Sequence, residues 1–333
     1  MADFEKLIDL VSERTGGRAV ACSDDFFAPK ENLLHPGRGE FIVGKYTENG
    51  KWMDGWESRR RRDGGHDWCI LKLGAPGTLR GVDVDCNHFL GNAPKSCRLE
   101  GTRILGYRTA ASLSDPDVKW TEILADSPTT PGAQNLFPIS DNGVYTHLRL
   151  HIYPDGGVAR FRAYGEVHPD WKQLTEEHRV LDLAAVEHGA VAIAASDEFF
   201  SNKQNLIMPG PSTHMGDGWE SKRRRGPGND WVIVRLGRAG KLRRVVLDTS
   251  HFKGNFPDAA LLEGTSAART TAADQLTGWR PLLPRTKLEA HTAHVFPITD
   301  REPITHVRLS IFPDGGIARM RVFGEVLTES SDA

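Results

Sequence analysis

The sequence predicts an all-β protein built from two tandem β-sandwich domains of the jelly-roll type. Three observations lead to this prediction. The second half of the 333-residue chain repeats the first, apolar and polar residues alternate with the period of two that strands require, and Gly and Pro turns interrupt these runs often. Because amphipathic helical patterns are scarce, short antiparallel strands packed as sandwiches are favoured.

The repeat sets the domain boundaries. A run of DGWESRRRR at 54–62 returns as DGWESKRRR at 217–225, and a closing segment at 146–167 returns at 305–326. A repeated unit this long is a duplicated domain and not a solenoid unit. We therefore expect one sandwich at 1–168 and a second at 169–333. The polar stretch HPDWKQLTEEHR at 168–179 marks the boundary and could hold a short linking helix.

The closing segment shows the strand pattern most clearly. Apolar residues alternate with His and Arg before and after a Pro-Asp-Gly-Gly turn, which predicts a hairpin with one buried face and one basic, His-bearing face. The apolar side comprises Leu148, Leu150, Ile152, Ala159, Phe161 and Ala163 in the first copy, and Val307, Leu309, Ile311, Ala318, Met320 and Val322 in the second.

Charge and composition exclude several classes of function. The formal net charge is −2, so no overall field attracts nucleic acid or an anionic membrane. The sequence has no uninterrupted apolar stretch of about 18 residues, and its first residues are acidic where an export signal would be cationic and then apolar. These features predict a cytoplasmic protein with a small-molecule ligand and without nucleic-acid or membrane partners.

The four cysteines lie in the first half only: Cys22, Cys69, Cys86 and Cys97. The second repeat has other residues at the matching positions, which argues against a disulfide frame or a thiolate metal site belonging to the domain. We expect partly buried free thiols in a reducing compartment.

The DGWES run is the first candidate site. Glu57 and Glu220 offer a carboxyl group, and Arg59, Arg60 and Arg223 offer forked donors close by in sequence. Such a set could bind a small carboxylate and place an acid or base beside it. The alternative is a solvated basic loop held by its own glutamate, and the return of the run in the second copy favours the site.

The second candidate follows an apolar strand. Asp85, His88 and Asn92 recur as Asp248, His251 and Asn255. A loop at a strand end is where a rigid scaffold presents site residues, His can carry a proton near neutral pH, and Asn can donate to a developing oxyanion. An Asx-type turn with the His against Phe89 explains the pattern equally well. As a metal site the Asp-x-x-His spacing is weak, since two ligands define no geometry.

The outer Arg residues of the closing segment are a third candidate, and an ordinary polar sheet face is the favoured explanation for most of them. Arg160 and Arg319, just past the turn, are the two placed to reach a pocket at the end of the sandwich. Phosphate-binding loops, dinucleotide-binding glycines, serine-hydrolase elbows and zinc-protease motifs are absent from the sequence.

Taken in order through both halves, these motifs resemble the allantoicase family. The resemblance rests on DGWES(R/K)RR, HDW/NDW, D-x-x-HF-x-GN-x-P, LEGT and PDGG(V/I)AR, and it covers nearly the whole chain. It implies two galactose-binding-like jelly rolls, the hydrolysis of allantoate to ureidoglycolate and urea in purine degradation, and homo-oligomers.

The chemistry of allantoate suggests roles for the candidates. Arg59 and Arg60 would bind the substrate carboxylate, Asn92 a ureido arm, and His88 with Glu57 would share the proton transfers. Glu220, His251, Arg223, Asn255 and Arg319 are the corresponding candidates of the second copy. No cofactor is expected, and a divalent metal is left open.

A tandem module that binds a small ligand or carbohydrate without catalysis is the alternative, because this fold serves many binding proteins. A nucleic-acid binder is disfavoured by the charge balance and by the lack of aromatic residues within the Arg runs. The first copy has an insertion within 36–53, Arg59 where the second has Lys222, and His66 where the second has Asn229. We therefore expect the main active site in the first repeat.

Overall fold

Almost all regular structure in the chain is β-strand, which confirms the predicted fold class. The computed structural model describes residues 2–106 and 108–327. The chain divides into two units, Met1–His168 and Pro169–Ala333. Within the described residues each unit contains one eight-stranded sheet folded into a sandwich. The first unit has two further two-stranded sheets and the second unit has one.

The described residues of the first unit form twelve strands. In chain order they are β1 (Ile8–Asp9), β2 (Arg18–Cys22), β3 (Tyr46–Thr47), β4 (Gly50–Lys51), β5 (Trp56–Glu57), β6 (Asp67–Asp85), β7 (Ser96–Thr102), β8 (Thr121–Pro128), β9 (Gln134–Pro138), β10 (Tyr145–Tyr153), β11 (Gly157–Val158) and β12 (Arg160–Val167).

The long strand β6 organises this unit because it belongs to both layers of the sandwich. Its first half lies between β2 and β10, and its second half lies between β9 and β12, all antiparallel. The main path through the sheet is β1-β12-β6-β10-β7-β8. A strand that changes neighbours in this way turns the corner from one layer to the next.

The second unit repeats the arrangement around β16. Its strands are β13 (Leu181–Asp182), β14 (Val191–Ala195), β15 (Trp219–Glu220), β16 (Asp230–Asp248), β17 (Ala259–Thr265), β18 (Arg280–Lys287), β19 (Ala293–Pro297), β20 (Ile304–Phe312), β21 (Gly316–Ile317) and β22 (Arg319–Val326). The path β13-β22-β16-β20-β17-β18 matches that of the first unit strand for strand, with β14 and β19 also paired to β16.

Helices are short and lie in the connections. The one α-helix among the described residues, α1 (Trp171–Glu177), confirms the expected linking helix. The side chain of Asp170 accepts a hydrogen bond from the Gln173 backbone N–H at its start. The 3₁₀ helices within the described ranges are Asp3–Lys6, Glu13–Thr15, Lys30–Leu34, Ala111–Ser114, Val186–His188, Lys203–Ile207, Met215–Asp217 and Ala273–Gln275.

The cores confirm the predicted buried face of the closing segment. All twelve apolar residues assigned to that face are fully buried, and burying an aliphatic side chain contributes about 1.5–3 kcal/mol. The four thiols are unpaired, with Cys22 half-buried and the others buried, as expected.

The predicted hairpin is wrong. Strands β10 and β12 do not pair with each other, since β6 lies between them and pairs with both. The Pro-Asp-Gly-Gly turn therefore passes from one layer to the other. Alternation in sequence reports which face of a strand is buried, and it does not report which strand lies beside it.

The expected solvated face of this segment also needs correction. His147 and His151 are 8% and 4% exposed, although they alternate with core residues. The buried ring of His151 has a polar partner, since it is hydrogen-bonded to Glu100 of β7. Both sides of β10 therefore contribute to buried structure.

Candidate active site

The Pro-Asp-Gly-Gly turn brings the predicted motifs together. Gly157, on β11, pairs with Glu57 on β5, and its N–H donates to the carbonyl of Asn92 at 2.8 Å. The N–H of Arg61 donates to the carboxylate of Asp155 at 2.8 Å. The DGWES run and the Asp-x-x-His loop thus meet on opposite sides of one turn, which sequence adjacency alone did not establish.

A buried aromatic ring explains why glycines recur here. Phe89 is fully buried, and a Cβ placed on Gly157 or Gly55 would lie 1.9 Å or 2.8 Å from its ring. The Phe89 ring therefore packs directly against the backbone at positions where only glycine, which has no Cβ, leaves room for it. It anchors the loop that carries His88 and Asn92.

Glu57 is the carboxyl group at the centre of this arrangement. Its backbone pairs with Ala28 on one side and Gly157 on the other, so the side chain leaves from a fixed strand. The amide of Asn92 donates to its Oε1 at 2.6 Å. Within the described residues no Lys, Arg or His lies within ion-pair distance of this carboxylate.

Burial raises the pKa of Glu57, and the hydrogen bond from Asn92 lowers it only in part. A carboxyl group with a raised pKa is protonated in a larger fraction of molecules near neutral pH. It is therefore suited to give or take a proton there.

The second unit reproduces the pair. The amide of Asn255 donates to Oε1 of Glu220 at 2.5 Å, Gly316 pairs with Glu220 across the short sheet, and burial raises the pKa of Glu220. One difference is the sulfur of Met215, which accepts a second hydrogen bond from Asn255. The carboxyl–amide pair is the feature that both units share.

The two histidines occupy the same backbone position but have different surroundings. His88 and His251 have φ of 68° and 71°, a left-handed conformation uncommon for residues other than glycine. The His251 ring donates from Nε2 to the carbonyl of Ser212 at 2.9 Å. The His88 side chain is exposed, and its ring lies 5.8 Å from that of Phe41 in the insertion. No hydrogen bond joins His88 to Glu57.

Among the described residues, no arginine of the first run forms an ion pair with the Glu57 carboxylate. Arg59 binds Asp24 through two nitrogens at 3.0 and 2.7 Å, and its guanidinium lies 5.0 Å from the centre of the Phe26 ring. Arg60 is exposed, with no ion pair to any described residue. The structure does not bring Arg59 to the acid that it accompanies in sequence.

In the second unit the run lines an open cavity of about 340 Å³. Arg223 lies on its wall, while Glu220 and Asn255 do not. The lining residues are Ser196, Asp197, Lys222, Arg223, Arg224, Arg225, Gly226 and Asp230. A guanidinium-lined cavity suits a small anion, but it lies apart from the carboxyl–amide pair.

Arg160 and Arg319 are buried and hold the DGWES loop in place. Arg160 pairs with Asp54 at 2.7 Å and also donates to the Asp54 carbonyl, and Arg319 pairs with Asp217 at 3.0 Å. Burial tends to raise the pKa of Asp54, but Arg160 and the Glu40 N–H hold it below its ordinary value. These contacts place both arginines behind the loop and not on the surface of a pocket.

Sequence reasoning missed Arg38. It lies in the first-repeat insertion and forms two hydrogen bonds of 3.0 Å to buried Asp85. The insertion is therefore fastened to the loop that carries His88. The sequence gives no signal for this pair, since the second copy lacks the insertion.

Two further observations concern the described residues. No group of three His, Cys, Asp or Glu side chains is arranged to hold a metal ion within that part of the chain. Nor does any helix there have the length and apolar character needed to cross a bilayer.

Comparison with known proteins gives consistent matches over both repeats. Residues 8–168 and 181–327 each match the family model of the allantoicase repeat. The chain is 45% identical over 327 residues to a probable allantoicase of Photobacterium profundum, with 97% of both chains covered. It is 46% identical over 332 residues to a probable allantoicase of Pseudomonas aeruginosa, again with 97% of both covered.

A solved structure gives the same result. The crystal structure of allantoicase from Saccharomyces cerevisiae superposes with a TM-score of 0.82 at 35% identity, and the match covers 96% of this chain and 93% of that one.

Proposed function

The chain belongs to the allantoicase family, and from this membership we propose that its carboxyl–amide pairs carry out the family reaction. That reaction is the hydrolysis of allantoate to ureidoglycolate and urea, and the chain is a hydrolase of this kind. The alternative function, a binding module without catalysis, has less support than this hydrolase function. What remains to be assigned is which residues act.

The reaction needs two proton transfers. The bond from the central carbon of allantoate to one ureido nitrogen breaks, and that carbon forms a bond to a water oxygen. The departing urea nitrogen gains a proton, and the water loses one. We assign the first transfer to Glu57, because burial raises the pKa of its carboxyl group and a protonated carboxyl can serve as the general acid.

The neighbouring residues have supporting roles in this proposal. The side-chain amide of Asn92 donates one hydrogen to Glu57. Its side-chain oxygen, Oδ1, accepts a hydrogen bond from a ureido N–H of the substrate. His88, exposed on the same loop, takes the proton from water. Of the two arginines expected at the substrate carboxylate, Arg60 is available, whereas Arg59 would first have to leave Asp24.

One observation supports this assignment above the others. A glutamate with a raised pKa, an asparagine donor and no ion-paired cation among the described residues occurs at Glu57 and again at Glu220. A solvated loop would more often pair its glutamate with one of its own arginines.

The test is urea release from allantoate by Glu57→Gln, Glu220→Gln and the double variant. We expect each single variant to remove the share of turnover that its own unit contributes, with the larger loss in Glu57→Gln. The double variant should lower kcat by about 10²-fold or more, since general acid catalysis contributes roughly 10²–10⁴-fold. Glu48→Gln, an exposed position in the insertion, is the matched control. Full activity in the double variant would show that these carboxyl groups are not the acids.

We also propose a cytoplasmic location and a homo-oligomer. Four free thiols support the first, and family resemblance alone supports the second. Light scattering on the purified chain measures the oligomeric state directly.

A further inference from the structure

The open cavity beside the arginine run of the second unit is a separate feature from the carboxyl–amide pairs. Its volume is about 340 Å³, and residues 222–225, all of them Lys or Arg, lie on its wall. Neither Glu220 nor Asn255 lines it. The groups that we assign to proton transfer therefore leave this cavity unused.

The wall of the cavity has an excess of positive charge. Lys222 lies 3.4 Å from Asp197, and Arg224 lies 2.5 Å from Asp230. The other two arginines of 222–225 are exposed and form no ion pair with any residue that the structure describes. Four cations thus face two carboxylates, and an anion that enters from solvent is attracted.

The structural frame around Arg224 is the same as that around Arg61 in the first unit. The backbone N–H of each arginine donates to the aspartate of its Pro-Asp-Gly-Gly turn at 2.8 Å. The guanidinium of each also binds the buried aspartate that begins the long strand, Asp67 at 2.9 Å in the first unit and Asp230 in the second. The surroundings of the two arginines can therefore be compared directly.

One carboxylate beside Arg61 has no counterpart in the second unit. Asp63 accepts from Nη1 of Arg61 at 2.9 Å and from the N–H of Gly65 at 3.0 Å. The repeat places Gly226 at the position of Asp63. Nη1 of Arg224 is not buried, and it has no hydrogen-bond partner among the described residues. The side chain of Arg224 is 32% exposed, so a small molecule can reach it.

The position of the missing carboxylate is open space. A Cβ on Gly226 would meet no atom within 4 Å, and Gly226 lines the cavity. The neighbouring backbone still lies close to the guanidinium. A Cβ on Gly65 would lie 3.2 Å from Nη1 of Arg61, and a Cβ on Gly228 would lie 3.5 Å from Nη1 of Arg224. The cavity thus includes the place that a carboxylate fills in the first unit.

We propose that this cavity binds a small molecule through a carboxylate, which takes the place that Asp63 has in the first unit. One carboxylate oxygen accepts from Nη1 of Arg224, and the exposed guanidinium groups of Arg223 and Arg225 supply the surrounding positive charge. The first unit provides this carboxylate from its own chain, so the site belongs to the second unit alone.

A carboxylate fits the cavity better than a phosphate does. The corresponding guanidinium of the first unit already binds a carboxylate at this position. Asp197 and Asp230 also lie on the wall, and they repel a doubly charged anion more strongly than a singly charged one. The proposal does not depend on the proposed function, because the site contains no member of the carboxyl–amide pairs.

The probe is acetate, titrated at constant ionic strength into the full chain labelled with ¹⁵N at arginine. We expect saturable shifts of the Arg224 side-chain signals in nuclear magnetic resonance spectra. Gly226→Asp supplies the carboxylate of the first unit and should weaken acetate binding about tenfold or more, because the donor of Arg224 is then occupied. Thr270→Asp adds the same charge at an exposed position outside the cavity wall. This matched control should bind acetate nearly as the unsubstituted chain does.

Asp63→Gly is the reciprocal experiment. It removes the internal carboxylate of the first unit, so the Arg61 signals should begin to respond to acetate, which they should not do in the unsubstituted chain. Arg61 signals that still do not respond, unmoved Arg224 signals in the unsubstituted chain, or unchanged affinity in Gly226→Asp would each overturn the site. Tighter binding of phosphate than of acetate would overturn the assignment of a carboxylate ligand.

The double variant with Glu57→Gln and Glu220→Gln separates this proposal from the previous one. Its Arg224 signals should respond to acetate as in the unsubstituted chain, whatever happens to urea release. If they no longer respond, the cavity is not separate from the carboxyl–amide pairs and the inference fails.

Discussion

Glu57 and Glu220 are acidic side chains kept away from every described cation in a chain rich in arginine. Their pKa is raised because the short β5–β11 and β15–β21 sheets bury them and only an amide faces them. Of the two arginines nearest to Glu57 in sequence, Arg59 binds Asp24 instead, and Arg60 forms no ion pair with a described residue. The pattern of pairing therefore preserves two carboxyl groups that can exchange protons near neutral pH.

Burial raises the pKa of Glu57, and Asn92 opposes part of that effect. Its N–H lowers the pKa of the carboxyl, so Asn92→Ala should raise that pKa further. If protonated Glu57 is the acid, activity is lost as pH rises through this pKa. The alkaline limb of the kcat profile should then move to higher pH, although the maximum rate falls because the substrate loses a partner.

The measurement is kcat for urea release across pH, with Asn142→Ala, an exposed asparagine outside both carboxyl–amide pairs, as the matched control. A limb that moves to lower pH, or does not move, would contradict the assigned role of Glu57.

At the scale of elements, the insertion within 36–53 distinguishes the two sites. Its hairpin of β3 and β4 lies beside a segment that is fastened through Arg38 to Asp85 and through Phe41 to His88. Phe41 also packs against the cluster of Met53, Phe89 and Ala159. The insertion thus contacts the loop that carries the proposed base.

Shortening this insertion to the length of the second copy tests its contribution. We expect the first unit to stay folded, since the second is built without it, while kcat/KM falls on the order of tenfold because His88 loses its neighbour. Circular dichroism melting and the urea assay, compared with Tyr46→Ser at an exposed position of the same hairpin, check both parts. Unchanged kcat/KM would show that the insertion serves another purpose.

The same elements show which structural features can be predicted from the sequence. It predicts the sandwich class, the buried residues of β10 and β12, and the linking helix, because alternation and repeats report burial and duplication. It does not predict that β6 separates β10 from β12, since strand pairing depends on residues distant in sequence. Nor does it distinguish arginines that bind aspartates from those left free, because Arg59 and Arg60 are neighbours with identical side chains.

At the scale of the whole molecule, each unit has its own core. Leu150 and Leu309 occupy matching positions on β10 and β20, and both are fully buried. Leu150→Ala should destabilise the first unit, and Leu309→Ala the second, each by about 2–5 kcal/mol.

Hydrogen exchange read by mass spectrometry checks the prediction of separate cores. Faster exchange should be confined to peptides of the unit that carries the substitution. Equal acceleration in both units would show that they unfold together.

The strand shared by both layers also bears on how the chain folds. The partners of β6 come from both sides of it in sequence, and β10 and β12 are made long after it. Neither layer of the sandwich is complete until β10 and β12 are present, so structure that forms earlier is stabilised by few contacts. We therefore expect the closure of long loops to limit the folding rate. During synthesis, each unit should therefore fold in one cooperative step, after its closing segment has left the ribosome.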